Sequence, residues 1–128
     1  MRRLCELNLF FGISGYSMKT KEGCDVVKEI PLDRILIETK SPYYVVRPKD
    51  HCIKYVKTKF HIKKLERYNP LYKKGFTLVR SRGEPCTIVQ VVECIAALKE
   101  ISHEEVAKST YNNTMRCFNL NNQNEFKV

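Results

Sequence analysis

The segment Arg34-Ile35-Leu36-Ile37-Glu38-Thr39-Lys40-Ser41-Pro42 is the most informative about the fold class. It is a short apolar run between polar residues, closed by Ser-Pro, which indicates a buried strand and the loop that follows it. A similar run, Leu9-Phe10-Phe11-Gly12-Ile13, precedes it. Between the two, Lys19-Thr20-Lys21-Glu22 begins a helix with Thr20 as the expected N-cap, and Pro31 ends it. Strand, helix and strand in this order predict a parallel β-α-β unit of an α/β fold, with both strands buried on both faces.

The last third of the chain predicts two helices. Apolar residues recur at helical spacing at Ile88, Val91, Val92, Ile95, Leu98 and Ile101. Ser102-His103-Glu104-Glu105 has the spacing of a capping box, in which the Ser102 side chain bonds the amide of Glu105. The second helix is expected to run to about Phe118, and its predicted inward-facing residues are Val106, Thr110 and Phe118.

The positive charge is concentrated in one segment. The formal net charge is +9 at pH 7, and residues 43–82 hold twelve lysines and arginines against two acidic residues. Seven of the thirteen aromatic residues lie in the same segment: Tyr43, Tyr44, Tyr55, Phe60, Tyr68, Tyr72 and Phe76. Cations with interleaved aromatic rings are typical of a surface that meets nucleic acid. A solvated, partly flexible insertion has the same composition, and composition alone leaves both interpretations open.

The basic segment shows no sustained periodicity. Lys54–Ile62 alternates well enough to predict a short strand or an extended arm, and Tyr68-Asn69-Pro70 and Lys74-Gly75 are turn signals. A loop of this length inside a compact domain is functional or disordered.

The cysteines and the beginning of the chain indicate a reducing compartment. No run approaches the ~18 apolar residues of a membrane span, and Met1–Asn8 is too polar for the core of a signal peptide. The six cysteines have no C-x-x-C pair and no zinc-finger spacing. Cys24, Cys94 and Cys117 lie in apolar helical patterns, so we expect reduced, mostly buried thiols, a cytoplasmic or nuclear location and no membrane partner.

The sequence lacks the motifs of several enzyme classes. The motifs G-x-x-x-x-G-K-[ST], G-x-G-x-x-G and G-x-S-x-G are absent. His51, His61 and His103 are scattered, without H-x-H or H-x-x-x-H spacing. Because a metal site needs three to four converging ligands, we expect none to be made by this chain alone.

Two pairs of charged residues are candidate site residues. Glu38 and Lys40 follow the second strand, and reacting groups of α/β sheets lie where strands give way to loops at the carboxyl edge. In the functional interpretation, Glu38 or Lys40 is an acid or base, a metal ligand or a phosphate contact. In the structural interpretation, Glu38 forms a salt bridge or a capping bond and Lys40 is solvated. Arg82 and Glu84 precede a prolyl helix start, where a carboxylate can accept backbone amides and a guanidinium can bind phosphate. A structural bond at the helix entry is the alternative.

Several ordered motifs resemble the last third of the TatD family. They are Phe11-Gly12-Ile13-Ser14-Gly15, Lys19-Thr20, the run from Ile30 to Tyr43, Arg82-Gly83-Glu84-Pro85 and Tyr111-Asn112-Asn113-Thr114. The matched blocks cover 9–43 and 82–120, and the lysine-rich insertion between them is similar to that of eukaryotic members. The resemblance implies a (β/α)₈ TIM-type barrel of the amidohydrolase kind, of which this chain holds the last two β-α units and the C-terminal helices. For complete members it implies metal-dependent deoxyribonuclease activity, the hydrolysis of phosphodiester bonds.

The resemblance also implies that most metal ligands lie elsewhere. Family members hold one or two divalent metals (Mg, Mn or Zn) with an H-x-H pair, a central glutamate, two further histidines and the aspartate of E-T-D-[SA]-P. Lys40 occupies the position of that aspartate, and the other ligands would lie upstream of Met1. A protonated lysine has no lone pair for a cation. By position Glu38 stays beside the site, and Lys40, Arg82 and Glu84 are candidate substrate contacts; R-N-E-P has become Arg82-Gly83-Glu84-Pro85.

Residues 1–128 are therefore interpreted as one partial domain with three candidate functions. Its parts are the β-α-β unit 9–43, the basic insertion 44–81, the helices 82–120 and the tail 121–128. The first candidate is the C-terminal third of a TatD-like DNA hydrolase, inactive by itself and without a cofactor of its own. The alternatives are a non-catalytic module that binds DNA through 43–82 and a fragment that completes a partner's barrel. Two strands cannot close a barrel of ~250 residues, so open strand edges are expected.

Overall fold

The computed structural model describes residues 4, 6–63, 77–79 and 82–120. Its strands and helices follow in the order β1 (Phe11–Ile13), α1 (Lys21–Glu29), β2 (Ile35–Ile37), β3 (His61–Lys63), β4 (Thr77–Val79), α2 (Ile88–Lys99) and α3 (His103–Cys117). Short 3-10 turns connect them at Gly15–Met18, Leu32–Arg34, His51–Tyr55 and Pro85–Thr87.

The first half of the described chain is a parallel β-α-β unit. β1 and β2 pair in parallel, with Phe11 beside Ile35. α1 connects them, and its first turn is capped because the Gly23 N–H donates to Thr20 Oγ1 at 3.1 Å. The predicted topology and the predicted N-cap are both confirmed.

The two C-terminal helices are confirmed as well. α2 contributes the buried side chains Val91, Cys94, Ile95, Ala96 and Leu98 to the core. At the start of α3 the Glu105 N–H donates to Ser102 Oγ at 3.0 Å. Val106 and Thr110 are buried, but Phe118 is 63 % exposed. Its predicted inward orientation is wrong because α3 ends at Cys117 and the helical period no longer applies to Phe118.

The thiols divide between the core and the surface. Cys24, Cys52 and Cys94 are buried, Cys86 and Cys117 are exposed, and these five are free. The expectation of mostly buried thiols is wrong for Cys117, which lies on the exposed side of the last turn of α3.

One flank of the β-α-β unit is open in the described part of the chain. Ile13 and Ile35 are buried, whereas Gly12 is exposed and Leu36 only half-buried. The expectation of strands buried on both faces is wrong here because, among the residues that the structure describes, β1 and β2 pair with no further strand that would cover them. An apolar groove of about 460 Å³ runs along β1 and α1, and its lining residues include Phe10, Phe11, Ile13, Val26, Val27 and Ile30.

The first part of the basic segment packs on the core. Tyr44, Asp50 and Cys52 are buried. Where a strand or arm was predicted over Lys54–Ile62, the structure has the turn His51–Tyr55 and a strand that begins at His61 and pairs in parallel with β4. The turn predictions at 68–70 and 74–75 and the tail 121–128 lie outside the described residues.

Candidate functional site

The carboxyl ends of β1 and β2 lie side by side because the two strands are parallel. The 3-10 turn that carries Tyr16 follows β1, and the segment with Glu38 and Lys40 follows β2. The Glu38 N–H donates to the Ile13 carbonyl at 3.0 Å, so the pairing continues one step beyond the strands. Lys40 thus lies at the edge of the sheet where α/β folds place their sites.

Three cations approach two tyrosine rings at this edge. The Lys40 and Lys19 ammonium nitrogens lie 5.3 and 5.4 Å from the centre of the Tyr16 ring. Tyr16 meets Tyr44 edge to face, with ring centres 5.2 Å apart. The Arg47 guanidinium carbon lies 5.4 Å from the centre of the Tyr44 ring. These distances are those of cation–π contacts, so positive charge and aromatic surface are combined at one place.

Asp50 fixes the loop that carries these groups. The Tyr44 hydroxyl donates to Asp50 Oδ2 at 2.5 Å, and the Arg47 N–H donates to the same oxygen at 2.6 Å. Burial and the Asp50 carboxylate together raise the pKa of the Tyr44 hydroxyl. The Tyr44 hydroxyl therefore stays a neutral donor. The Asp50 carboxylate interacts with donors of its own loop, Tyr44 and the Arg47 N–H.

Glu38 does not pair with Lys40. Its side chain lies over Gly12, where an added Cβ would meet Glu38 Oε2 at 2.9 Å. Within the described ranges the ion pairs join other residues, among them Arg82 and Glu84, whose Nε and Oε1 are 3.2 Å apart. The structure thus brings Arg82 and Glu84 together and leaves Glu38 and Lys40 as separate exposed charges.

Gly83 attaches the Arg82–Glu84 pair to the loop after β2. The Gly83 N–H donates to the Pro42 carbonyl at 2.9 Å, and a Cβ on Gly83 would lie 2.3 Å from the Tyr44 carbonyl oxygen. A side chain does not fit at this distance. This chain has Gly83 where the motif R-N-E-P has asparagine, and a glycine is the residue that this close backbone contact requires.

Sequence reasoning missed Glu93, a buried carboxylate of α2. It accepts the Thr58 hydroxyl at 2.5 Å and the Lys57 N–H at 2.8 Å. Burial alone would raise the pKa of this carboxyl, but the hydrogen bonds from Thr58 and Lys57 outweigh it and lower the pKa below its usual value. The signal in the sequence is a single glutamate inside the apolar run of α2.

Asn113 of α3 is the second residue that sequence reasoning did not single out individually. Its Nδ2 donates to the carbonyls of Leu32 and Ile35, both at 2.8 Å. The Ile35 carbonyl begins β2 and the Leu32 carbonyl lies in the turn before it, opposite the edge with Lys40. Asn113 therefore positions the strand without being part of the charged edge.

The described side chains do not fit a metal ion. No group of three or more His, Cys, Asp or Glu residues in that part of the chain is arranged to hold one. Lys40 offers an ammonium where a hard cation needs an oxygen ligand.

None of the described helices is long and apolar enough to cross a membrane.

A parallel β-α-β unit with its charged side chains at the carboxyl edge, covered by two further helices, is a piece of a parallel α/β fold, of which the α/β barrel is one kind. The family model "TatD related DNase" matches residues 1–119, and the chain belongs to the TatD family. The family and the partial barrel predicted from the sequence are both confirmed.

Named relatives and a solved structure agree with the assignment to the TatD family. The deoxyribonuclease Tat-D of Schizosaccharomyces pombe is 41% identical over 117 residues, which cover 90% of this chain and 36% of that protein. The crystal structure of a TatD family hydrolase from Entamoeba histolytica superposes with a TM-score of 0.78 at 30% identity, covering 90% and 36% of the two chains. Bacillus subtilis YabD, named an uncharacterized metal-dependent hydrolase, is 31% identical over 122 residues, 94% of this chain and 36% of that protein. The chain spans about a third of the length of these relatives.

Proposed function

We propose that this chain forms the C-terminal third of a TatD-type, metal-dependent DNA hydrolase and is inactive as it stands, because Lys40 replaces the aspartate ligand of the family. The observation that carries the proposal is the position of Lys40 at the carboxyl edge of a parallel strand pair, in the segment Glu38-Thr39-Lys40-Ser41-Pro42 that resembles E-T-D-[SA]-P. The identity to a protein named deoxyribonuclease Tat-D supports DNA as the substrate. The preceding two thirds of such a barrel supply the groups that hold a metal ion.

In this proposal the residues of the chain bind phosphate rather than metal. The Lys40 ammonium is a point charge with three donors, which suits a phosphate oxygen. Arg82 keeps 60 % of its side chain exposed although it pairs with Glu84, so it is available as a second anion contact. The described residues hold no group of side chains arranged for a metal ion, and we propose that the chain alone does not hydrolyse DNA.

The open groove supports a second candidate, a fragment that completes a partner's barrel. The groove lies along β1 and α1, and its lining is mostly apolar. In a closed barrel this flank is where the preceding strand pairs with β1 and the preceding helix packs on α1. The partner is then a polypeptide that carries the preceding β-α units.

The basic residues between 43 and 82 support DNA contact in either case. Their charge favours association with phosphate at low salt. The free thiols of the described cysteines are compatible with the cytoplasm or the nucleus, where we place the protein.

The test combines a cleavage assay on the chain alone with an association assay on a mixture. The purified chain, incubated with Mg²⁺, Mn²⁺ or Zn²⁺ and labelled DNA, is expected to leave the DNA intact. Mixed with the separately expressed first two thirds of the S. pombe relative, it is expected to elute as a stable complex on size exclusion. Metal-dependent cleavage by the chain alone would contradict the incomplete-site proposal, and failure to associate would contradict the barrel-completing function.

A further inference from the structure

Three thiols that the proposed function does not use are buried where α1, α2 and the turn His51–Tyr55 pack on one another. They are Cys24 of α1, Cys52 of the turn and Cys94 of α2, and each is at most 2 % exposed. We infer that Cys52 and Cys94 form an oxidation site, at which a hydroperoxide converts the two thiols into one disulfide bond. The bond fastens the beginning of the basic segment to α2, and the inference does not depend on the hydrolase proposal.

Cys52 and Cys94 are in contact although they are 42 positions apart in sequence. The Cys94 sulfur lies 3.5 Å from the Cys52 carbonyl oxygen, to which its thiol donates. The two thiols also hydrogen-bond to each other. A disulfide forms without strain where the backbones already hold the two sulfur atoms together. The packing of the turn on α2 provides that arrangement.

Cys24 is the third thiol of the group, and its contacts are different. Its thiol donates to the Met18 carbonyl at 3.3 Å, which is a bond to the backbone of the turn after β1. The hydrogen bond between thiols joins Cys52 to Cys94 and does not include Cys24. We therefore expect Cys24 to stay a free thiol when the pair is oxidised.

The hydrogen bond between the two thiols gives them different roles. It holds the pKa of Cys52 below its ordinary value, although burial acts in the opposite direction. The same bond, together with burial, raises the pKa of Cys94. Because the thiolate is the nucleophile, Cys52 is the sulfur that attacks the peroxide, and Cys94 is the sulfur that closes the disulfide.

The oxidation proceeds in two balanced steps. The Cys52 thiolate attacks one oxygen of hydrogen peroxide, the O–O bond breaks, and Cys52 becomes a sulfenic acid. The hydroxide that leaves takes up the proton that Cys52 released. The Cys94 sulfur then attacks the Cys52 sulfur, the S–O bond breaks, and the Cys94 proton leaves with the hydroxyl group as water. Two electrons pass from the two sulfur atoms to one peroxide, which becomes two water molecules.

Burial controls when the pair reacts. Buried thiols are inert until the structure opens locally. Cys52 lies in a short 3-10 turn, so opening of this turn exposes it while α2 stays folded. In a reducing compartment a disulfide is transient, so we expect this bond to form when the concentration of peroxide rises.

The disulfide reinforces an attachment that hydrogen bonds already make. Glu93, the residue before Cys94, accepts the N–H groups of Lys57 and Thr58 at 2.8 and 3.0 Å. Gln90 Nε2 donates to the Thr58 carbonyl at 3.0 Å. These bonds fix the residues that follow the turn, and the disulfide fixes the turn itself. Oxidation is therefore expected to keep the start of the basic segment on α2 when these hydrogen bonds open.

The test is a disulfide map of the whole chain in which Cys5, Cys86 and Cys117 are replaced by serine, so that the three buried thiols remain. The folded protein is treated with hydrogen peroxide, and free thiols are then alkylated with N-ethylmaleimide in guanidinium chloride. Trypsin places the three cysteines in separate peptides, 22–28, 50–54 and 83–99. Mass spectrometry is expected to find 50–54 joined to 83–99, with 22–28 alkylated.

Cys24→Ala and Cys94→Ala are matched variants, because each removes one buried thiol. Cys24→Ala is expected to form the same link as its parent, and Cys94→Ala is expected to form none. The oxidised parent is expected to melt about 5 °C or more above the reduced form, because the disulfide closes a long loop. Dithiothreitol is expected to reverse this shift.

Three results would overturn the inference. They are the absence of a link in the folded protein, a link between 22–28 and 50–54 in its place, and a link that forms only at urea concentrations that unfold the chain. Circular dichroism identifies a variant that has not folded, and the map of the unmodified chain, read for the same three peptides, then decides. None of these results bears on the hydrolase proposal, which the cleavage assay tests separately.

Discussion

At the scale of single residues, Gly83 shows how the candidate site is fixed. The backbone of Gly83 lies so close to the loop after β2 that a Cβ would fall 2.3 Å from the Tyr44 carbonyl oxygen. The obstacle is backbone, which cannot turn away as the end of a side chain can. The position of Arg82 and Glu84 relative to Lys40 therefore depends on a residue without a side chain.

Gly83→Ala is expected to lower the free energy of unfolding by about 1–3 kcal/mol, as overpacking in a close contact does. Gly12→Ala is the matched control, because its new Cβ meets the carboxylate end of the exposed Glu38 side chain, which can move. The control is expected to stay within about 0.5 kcal/mol of the unmodified chain in urea unfolding. Equal destabilisation by the two substitutions would show that the contact with Tyr44 is not the cause.

Residue roles that depend on neighbours in sequence were predictable, and those that depend on the fold were not. Thr20 and Ser102 cap helices through an amide three residues away, so local spacing is sufficient to identify them. Glu93 binds Thr58 across 35 positions of sequence, and no local pattern reports such a contact. Asp50 is only six residues from Tyr44, but it is buried by packing, which local sequence does not encode.

At the scale of elements, the polar side chain of Asn113 joins α3 to β2. Asn113 is 2 % exposed and donates to two carbonyls at the amino end of β2. The bond to the Ile35 carbonyl is buried and the bond to the Leu32 carbonyl is partly buried, and an unpaired acceptor away from water is costly. The capping box at Ser102 predicted the start of α3, but it did not predict that Asn113 faces the strand.

Asn113→Ala is expected to lower the free energy of unfolding by about 1–3 kcal/mol, because the carbonyls of Leu32 and Ile35 lose their buried donor. The neighbouring Asn112 is exposed, so Asn112→Ala is expected to change stability by less than about 0.5 kcal/mol. Urea unfolding followed by circular dichroism measures both. If the two variants were equally stable, the bonds from Asn113 to β2 would not hold α3 in place.

At the scale of the whole molecule, the chain is a third of a barrel with a lysine at the site edge. The order of its motifs predicted the parallel pairing and the family, because β-α-β units allow few topologies. The tyrosine rings around Lys40 could not be predicted, since Tyr16 and Lys40 meet only when β1 and β2 pair. The sequence likewise did not show that residues 44–52 pack on the core, because their composition is that of an exposed loop.

The substitution Lys40→Asp separates the two roles that this position can have. In EDTA it is expected to weaken oligothymidylate binding by the chain, because an ammonium that attracts phosphate is replaced by a carboxylate that repels it.

In a protein that joins this chain to the first two thirds of the S. pombe relative, the same substitution restores the aspartate of E-T-D-[SA]-P and an oxygen ligand. We expect the joined protein to cleave DNA with Mn²⁺ only when it carries Lys40→Asp, and to be stabilised against heat by Mn²⁺ only in that form, since a bound ion stabilises the state that binds it. Lys108→Asp makes the same change of charge on α3 and is expected to restore neither property. Equal cleavage and equal stabilisation with and without Lys40→Asp would show that the carboxylate is not required at this position, and Lys40 would then be a solvated lysine at the edge of the sheet.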